Sequence, residues 1–67
     1  MRLTISWQYP EREVLEKRHL RGVPPPTGAE LWIPATTGRE GIMLRVTRVV
    51  YQAEADELGA SVECAPA

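Results

Sequence analysis

The longest run of strand-forming residues in the chain is Gly41-Ile42-Met43-Leu44-Arg45-Val46-Thr47-Arg48-Val49-Val50-Tyr51. An acidic turn follows at residues 54–59, and a second, shorter strand pattern covers residues 60–64. Two strand patterns joined by a short polar turn predict a β-hairpin. This hairpin indicates a small, mainly β domain.

The alternation of apolar and polar residues shifts partway along this run. Ile42, Leu44 and Val46 share one face of an extended strand, whereas Val49 and Tyr51 fall on the opposite face. A phase change of this kind predicts a β-bulge or a sharp bend between Val46 and Val49, as when one strand serves two sheets of a small barrel.

The N-terminal third predicts a second hairpin. Leu3, Ile5, Trp7 and Tyr9 alternate with polar residues as in a half-buried strand, and Pro10 ends that strand because it lacks an N–H. Residues 11–21 fit neither period well. We favour a charged strand that pairs back on the first through a turn at residues 9–12, and a helix of two turns is the alternative.

The middle of the chain predicts a rigid connector and a short strand. Three prolines at residues 24–26 favour an extended spacer. In residues 29–34, Leu31 and Ile33 are expected to point inward, with Trp32 pointing outward or lying at the rim of the core. Residues 35–41 predict a polar loop with two glycines.

Size and composition predict one domain over residues 1–67, with residues 63–67 as a flexible tail. One cysteine excludes an internal disulfide. Neither metal nor cofactor is expected, because Cys64 and His19 are the only soft ligands and a zinc site needs about four. No apolar segment approaches the ~20 residues that cross a bilayer, and no signal peptide is evident. We therefore expect a cytoplasmic protein that does not bind membranes.

These elements resemble those of small SH3-like β-barrel proteins of bacteria and phages. The resemblance lies in Pro-Thr-Gly-Ala-Glu-Leu-Trp-Ile at 26–33, Leu-Arg-Val-Thr-Arg-Val-Val-Tyr at 44–51 and Ala-Ser-Val-Glu at 60–63. It implies a five-stranded barrel or curled antiparallel sheet, and it transfers no functional residues. The expected core consists of Leu3, Ile5, Leu31, Ile33, Leu44, Val46, Val62 and Cys64.

The function predicted from the residues is non-enzymatic recognition of a protein. His19 and Cys64 lack a third group with which to form a catalytic site. A regulator or inhibitor encoded by a phage or plasmid, docking on a larger host protein, fits the size of the chain. Aromatic residues and arginine are common interface anchors, so the predicted partner contacts are Trp32, Arg45, Arg48 and Tyr51, with electrostatic steering by Arg18 and Arg21.

Two other modes of association remain open from the sequence. A nucleic-acid-binding barrel would combine the basic segment from Arg12 to Arg21 with Arg45 and Arg48, and would use Trp7, Trp32 or Tyr51 for stacking. Glutamates interleave with this segment, and the net charge of −1 opposes phosphate binding. A homodimer is the other mode, because every basic residue precedes the acidic C-terminal part and because a small open sheet has free edges.

Overall fold

The computed structural model describes residues 1–11, 13–54 and 56–67. Its regular elements are all strands, and the described residues contain no helix. The strands are β1 (Arg2–Gln8), β2 (Leu15–Arg21), β3 (Glu30–Ile33), β4 (Ile42–Glu54) and β5 (Glu57–Pro66). The class predicted from the sequence is therefore confirmed, and β2 is a strand and not a helix. Arg12, in the predicted turn before β2, lies outside the described residues.

The five strands form one mixed sheet in the order β2-β1-β5-β4-β3. Both predicted hairpins, β1–β2 and β4–β5, are antiparallel, and β3 pairs antiparallel with β4. β1 and β5 pair in parallel, with Ile5 opposite Val62, so the fully antiparallel sheet expected from the sequence is wrong at this junction. The sheet curls through 210° into a half-barrel whose free edges are β2 and β3.

The curl depends on an irregularity in the long strand. Val46 pairs with Cys64, but the next pair is Arg48 with Glu63, so Thr47 is the extra residue of a β-bulge. A bulge increases twist and bends its strand. The bulge also explains the shifted alternation, since it returns Val49, which pairs with Val62, to the face that carries Val46.

The core fills the concave side of the sheet, which we call the inner face; the convex side is the outer face. Most of the core predicted from the sequence is confirmed, with Leu31 and Cys64 only half-buried at its margin. Trp7 and Tyr9 also belong to it, with their rings 6.2 Å apart in an edge-to-face arrangement. Trp7 is 4% exposed and therefore provides no surface for stacking. The buried residues are Leu3, Ile5, Trp7, Tyr9, Ile33, Leu44, Val46, Ala60 and Val62.

One end of the gap between β2 and β3 is bridged by the loop before β4. The Tyr9 hydroxyl donates to the Glu40 carbonyl at 2.9 Å, and the Arg39 Nε donates to Glu16 on β2 at 2.9 Å. Gly38 has a φ of 76°, which lets this loop turn tightly. The loop thus joins the two edge strands at this end while leaving the rest of the gap open.

The C-terminal residues differ from the predicted tail. β5 continues to Pro66, where it pairs with Leu44, and the Ala67 N–H donates to the Met43 carbonyl at 3.0 Å. These residues pair because the part of β4 that precedes the bulge has β3 on one side and offers partners to the end of β5 on the other. Among the described residues, no helix has the length and hydropathy needed to cross a membrane.

Candidate protein-interaction site

Trp32 lies on the outer face of the edge strand β3. Its neighbours Leu31 and Ile33 point to the core, as predicted, and the Trp32 side chain is 59% exposed. Met43, directly opposite on β4, is 42% exposed. Directly opposed residues of an antiparallel pair share a face, so Trp32 and Met43 form one apolar patch, here called the Trp32 patch.

The indole ring of Trp32 packs against the main chain at Gly41. A Cβ atom at this position would lie 2.7 Å from both Cζ2 and Cη2 of Trp32, closer than carbon atoms approach without overlap. The absence of a side chain at Gly41 therefore allows the ring to lie against the backbone. This contact fixes one edge of the ring and leaves the remainder exposed to solvent.

The main chain beside the Trp32 patch is also open to a partner. The Val46 N–H donates to the Ala29 carbonyl at 2.9 Å, and the Val46 carbonyl accepts from the Gly28 N–H at 2.8 Å, so the ladder between β4 and β3 begins with a hydrogen-bonded position at Val46. Because such positions alternate along antiparallel strands, the N–H and C=O groups of Glu30 and Trp32 point away from β4. No other described strand pairs with that edge. A partner strand can therefore bond to the backbone of Trp32 and contact its ring.

Arg45 and Arg48 flank the patch on the outer face and are engaged in ion pairs. Nη2 of Arg45 lies 3.7 Å from Oε2 of Glu30, and Nε of Arg48 lies 3.9 Å from Oε2 of Glu63. In both cases the pair joins adjacent strands. All four side chains are about half exposed or more, so these pairs are worth little to stability. They remain available to exchange partners with charged groups of a bound protein.

The other predicted contact residues lie elsewhere. Tyr51 pairs with Ala60, whose side chain is buried on the inner face, so Tyr51 lies on that face near the hairpin tip. Arg18 pairs with Ile5 and also faces inward, whereas Arg21 pairs with Arg2 on the outer face. The six residues therefore do not form one surface: Trp32, Arg45 and Arg48 lie together, and the other three are distributed over both faces.

A groove of about 590 Å³ opens on the outer face at the other end of the sheet. Arg2, His19 and Arg21 line one side, and Glu54 and Glu57 line the other. Arg2 forms an ion pair with Glu57, and the Thr4 hydroxyl lies 3.2 Å from Nδ1 of His19. Charges of both signs face this groove, so it does not select for one sign of ligand.

The arrangement that nucleic-acid stacking would require is not assembled. Trp7 is buried, and Trp32 lies at one edge of the sheet while the basic residues of β2 lie at the other, with three strands between them. Arg48 shares a row of the outer face with Lys17, but Glu63 stands between them and pairs with Arg48. Among residues 1–11, 13–54 and 56–67, therefore, no continuous track of cations and exposed rings is available to a single bound strand.

Cys64 and His19 do not meet. They lie on strands separated by β1, with Cys64 on the inner face beside Val46 and His19 on the outer face beside Thr4. No cluster of three or more potential metal ligands occurs among residues 1–11, 13–54 and 56–67. Burial raises the pKa of the Cys64 thiol above its ordinary value of 9.0, because desolvation disfavours the thiolate.

The raised pKa of Cys64 predicts that its thiol is alkylated slowly in the folded protein. Iodoacetamide should alkylate the folded protein at pH 8 several-fold more slowly than the urea-unfolded chain, because only the thiolate is nucleophilic. The raised pKa also makes the free energy of unfolding depend on pH. The stabilising contribution of the neutral thiol is complete below the pKa of Cys64 in the unfolded chain, and it is lost as pH rises through the pKa of Cys64 in the folded protein. Mass spectrometry of timed samples measures the rates, and equal rates in the two states would contradict the burial of Cys64.

Comparison with protein-family models, with curated proteins and with solved structures gives no match. Functional inference for this chain therefore depends on its own geometry. The exposure of Met43 was missed from the sequence, and the free edges expected of a small open sheet were not assigned to β3. The alternation in β4 carried a signal for Met43, but a free edge depends on strand order, which no local pattern reveals.

Proposed function

We propose that the protein is a small protein-interaction module that docks on a larger protein through the β3 edge and regulates it. The observation that carries the proposal is the coincidence, at one residue, of an exposed indole and outward main-chain groups: Trp32 is 59% exposed and lies on a free edge. Edge-strand addition gives affinity through the backbone and specificity through side chains. Tryptophan is also among the commonest binding hot spots.

Removal of the indole is the direct test. Trp32→Ala should change the free energy of unfolding by less than about 1 kcal/mol, because the side chain is mostly solvated and lies outside the core. It should weaken binding of the cognate partner by about 30-fold or more, as expected of a hot spot worth at least about 2 kcal/mol. The partner is obtained by affinity capture from cells that carry the gene, and the affinity is then measured with the purified partner by calorimetry.

Tyr51→Ala is the matched control, because it removes an aromatic side chain of similar exposure, 57%, from the inner face. It should leave the affinity within about twofold of the wild type, in line with the small effects of residues outside a hot spot. If Trp32→Ala folds and binds as the wild type does, the β3 edge is not the docking surface. If it instead unfolds the protein, the ring belongs to the core.

A second variant tests whether the position of the Trp32 ring matters for binding as well as its presence. Gly41→Ala puts a methyl group where the indole now rests, 2.7 Å from its ring atoms, so the exposed ring must move away. We expect Gly41→Ala to keep the tryptophan and still lose part of the affinity. If Gly41→Ala retains the affinity and Trp32→Ala loses it, the ring binds the partner without needing its contact with Gly41.

A further inference from the structure

The positive charges without an ion-pair partner are concentrated on one strand. The chain has eight lysines and arginines, and all but Arg12 lie in the described residues. Four of those seven form ion pairs, namely Arg2, Arg39, Arg45 and Arg48. The remaining three, Lys17, Arg18 and Arg21, all belong to β2, and His19 lies among them. The only acid of β2, Glu16, is already paired with Arg39.

β2 also presents an unused ladder of main-chain groups. The Gly22 N–H donates to the Met1 carbonyl at 3.0 Å, and these residues are opposite each other in the β1–β2 register. Continuing the alternation of an antiparallel pair, the backbones of Leu15, Lys17, His19 and Arg21 point away from β1. No described strand pairs with that side. This free edge spans seven residues, whereas β3 offers four.

The side chains of β2 specify what this edge accepts. Lys17, His19 and Arg21 lie on the outer face, opposite Ser6, Thr4 and Arg2. On the inner face, Leu20 stands opposite the buried Leu3 and is itself 44% exposed. A strand added here thus meets cations along its outer side. Along its inner side it meets Arg18 and the exposed Leu20, while Glu16 on the same side is already paired with Arg39.

We propose that the β2 edge binds an extended polypeptide segment in which acidic and apolar residues alternate, added antiparallel as a sixth strand. Its carboxylates lie on the outer face beside Lys17 and Arg21, and its apolar side chains cover Leu20. Charges on an edge strand deter unspecific pairing, and the same charges attract a strand of opposite sign. A second copy of β2 does not fit, because antiparallel pairing would oppose its cations to one another.

The geometry also fixes which amides of the bound segment form hydrogen bonds. Opposed residues in an antiparallel pair share a face and, at hydrogen-bonded pairs, exchange both bonds. Residues 17 and 21 have outward main chains and outer-face side chains, so their opposite residues are the acidic ones. The amides of the acidic residues therefore bond to β2, and those of the apolar residues point to solvent.

The test uses the full chain and a capped, dye-labelled peptide of alternating valine and glutamate, seven residues long, with binding followed by fluorescence anisotropy. We expect binding that weakens with added salt. N-methylation of the glutamate amides should abolish it, whereas N-methylation of the valine amides should leave it unchanged. A valine–lysine peptide of the same length should not bind.

Matched protein variants locate the site. The triple variant Lys17→Gln, Arg18→Gln, Arg21→Gln should bind the peptide at least tenfold more weakly, and the double variant Arg45→Gln, Arg48→Gln should bind it as the wild type does. Trp32→Ala should also bind it normally, so this inference and the role of the β3 edge stand or fall separately. Absence of binding at millimolar peptide, equal binding by the triple variant, or tighter binding of an oligothymidylate than of the peptide would each overturn the proposal.

Discussion

Leu44→Ala is expected to remove a large part of the stability of the protein at room temperature. Leu44 has no exposed surface and pairs with both Leu31 and Pro66, so it lies where β4 joins β3 to β5. A buried leucine cut to alanine costs about 2 to 5 kcal/mol. The whole stability of a domain of this length is about 3 to 10 kcal/mol. Urea unfolding followed by circular dichroism measures the loss.

Leu58→Ala supplies the comparison, because it is the same chemical change at a side chain that is 51% exposed. It should shift the free energy of unfolding by less than about 1 kcal/mol. A Leu44→Ala protein with the midpoint of the wild type would mean that the inner face around this residue is not a packed core.

Removal of residues 63–67 is expected to prevent folding, although the sequence alone predicts a tail there. Cys64 and Pro66 pair with Val46 and Leu44, and these two partners are among the most completely buried side chains. Without the end of β5, both partners would be exposed to water, and the part of β4 that precedes the bulge would lose its ladder to β5. A flat near-ultraviolet dichroism spectrum and poor amide dispersion in nuclear magnetic resonance would report the unfolded state.

A chain lacking only Ala67 is the control for this deletion. It loses one backbone hydrogen bond, to the Met43 carbonyl, and should unfold within about 1.5 kcal/mol of the full chain. A native spectrum from the protein without residues 63–67 would show that β5 contributes little to stability after Val62.

Side-chain alternation predicted the features that depend on local pattern. The slipped phase between Val46 and Val49 revealed the bulge, and the flanking of Trp32 by Leu31 and Ile33 revealed its outward direction. The strand in residues 15–21 followed from the turn before it and not from its own residues. Its thin apolar side is explained by its position, because an edge strand of a half-barrel needs to bury little.

The parallel pairing of β1 with β5 was not predictable in the same way. Leu3, Ile5 and Trp7 would alternate in the same way beside a parallel or an antiparallel strand. No residue of β1 indicates which strand lies next to it. The alternation placed Trp7 and Tyr9 on the apolar side of the first strand, but their full burial was not predicted, since the inner face deepens only when β5 closes against β1. The two free edges likewise depend on strand order, and the interaction sites proposed on them could not be located from sequence.

The placement of β5 in the centre of the sheet has a consequence for biosynthesis. During translation, the strands that will flank it emerge first, as two hairpin-sized fragments whose apolar sides face nothing. They acquire their common neighbour only when residues 57–66 leave the ribosome. Contacts so distant along the chain slow folding, so the nascent polypeptide passes through a vulnerable interval in which chaperones, proteases or a waiting partner can capture it.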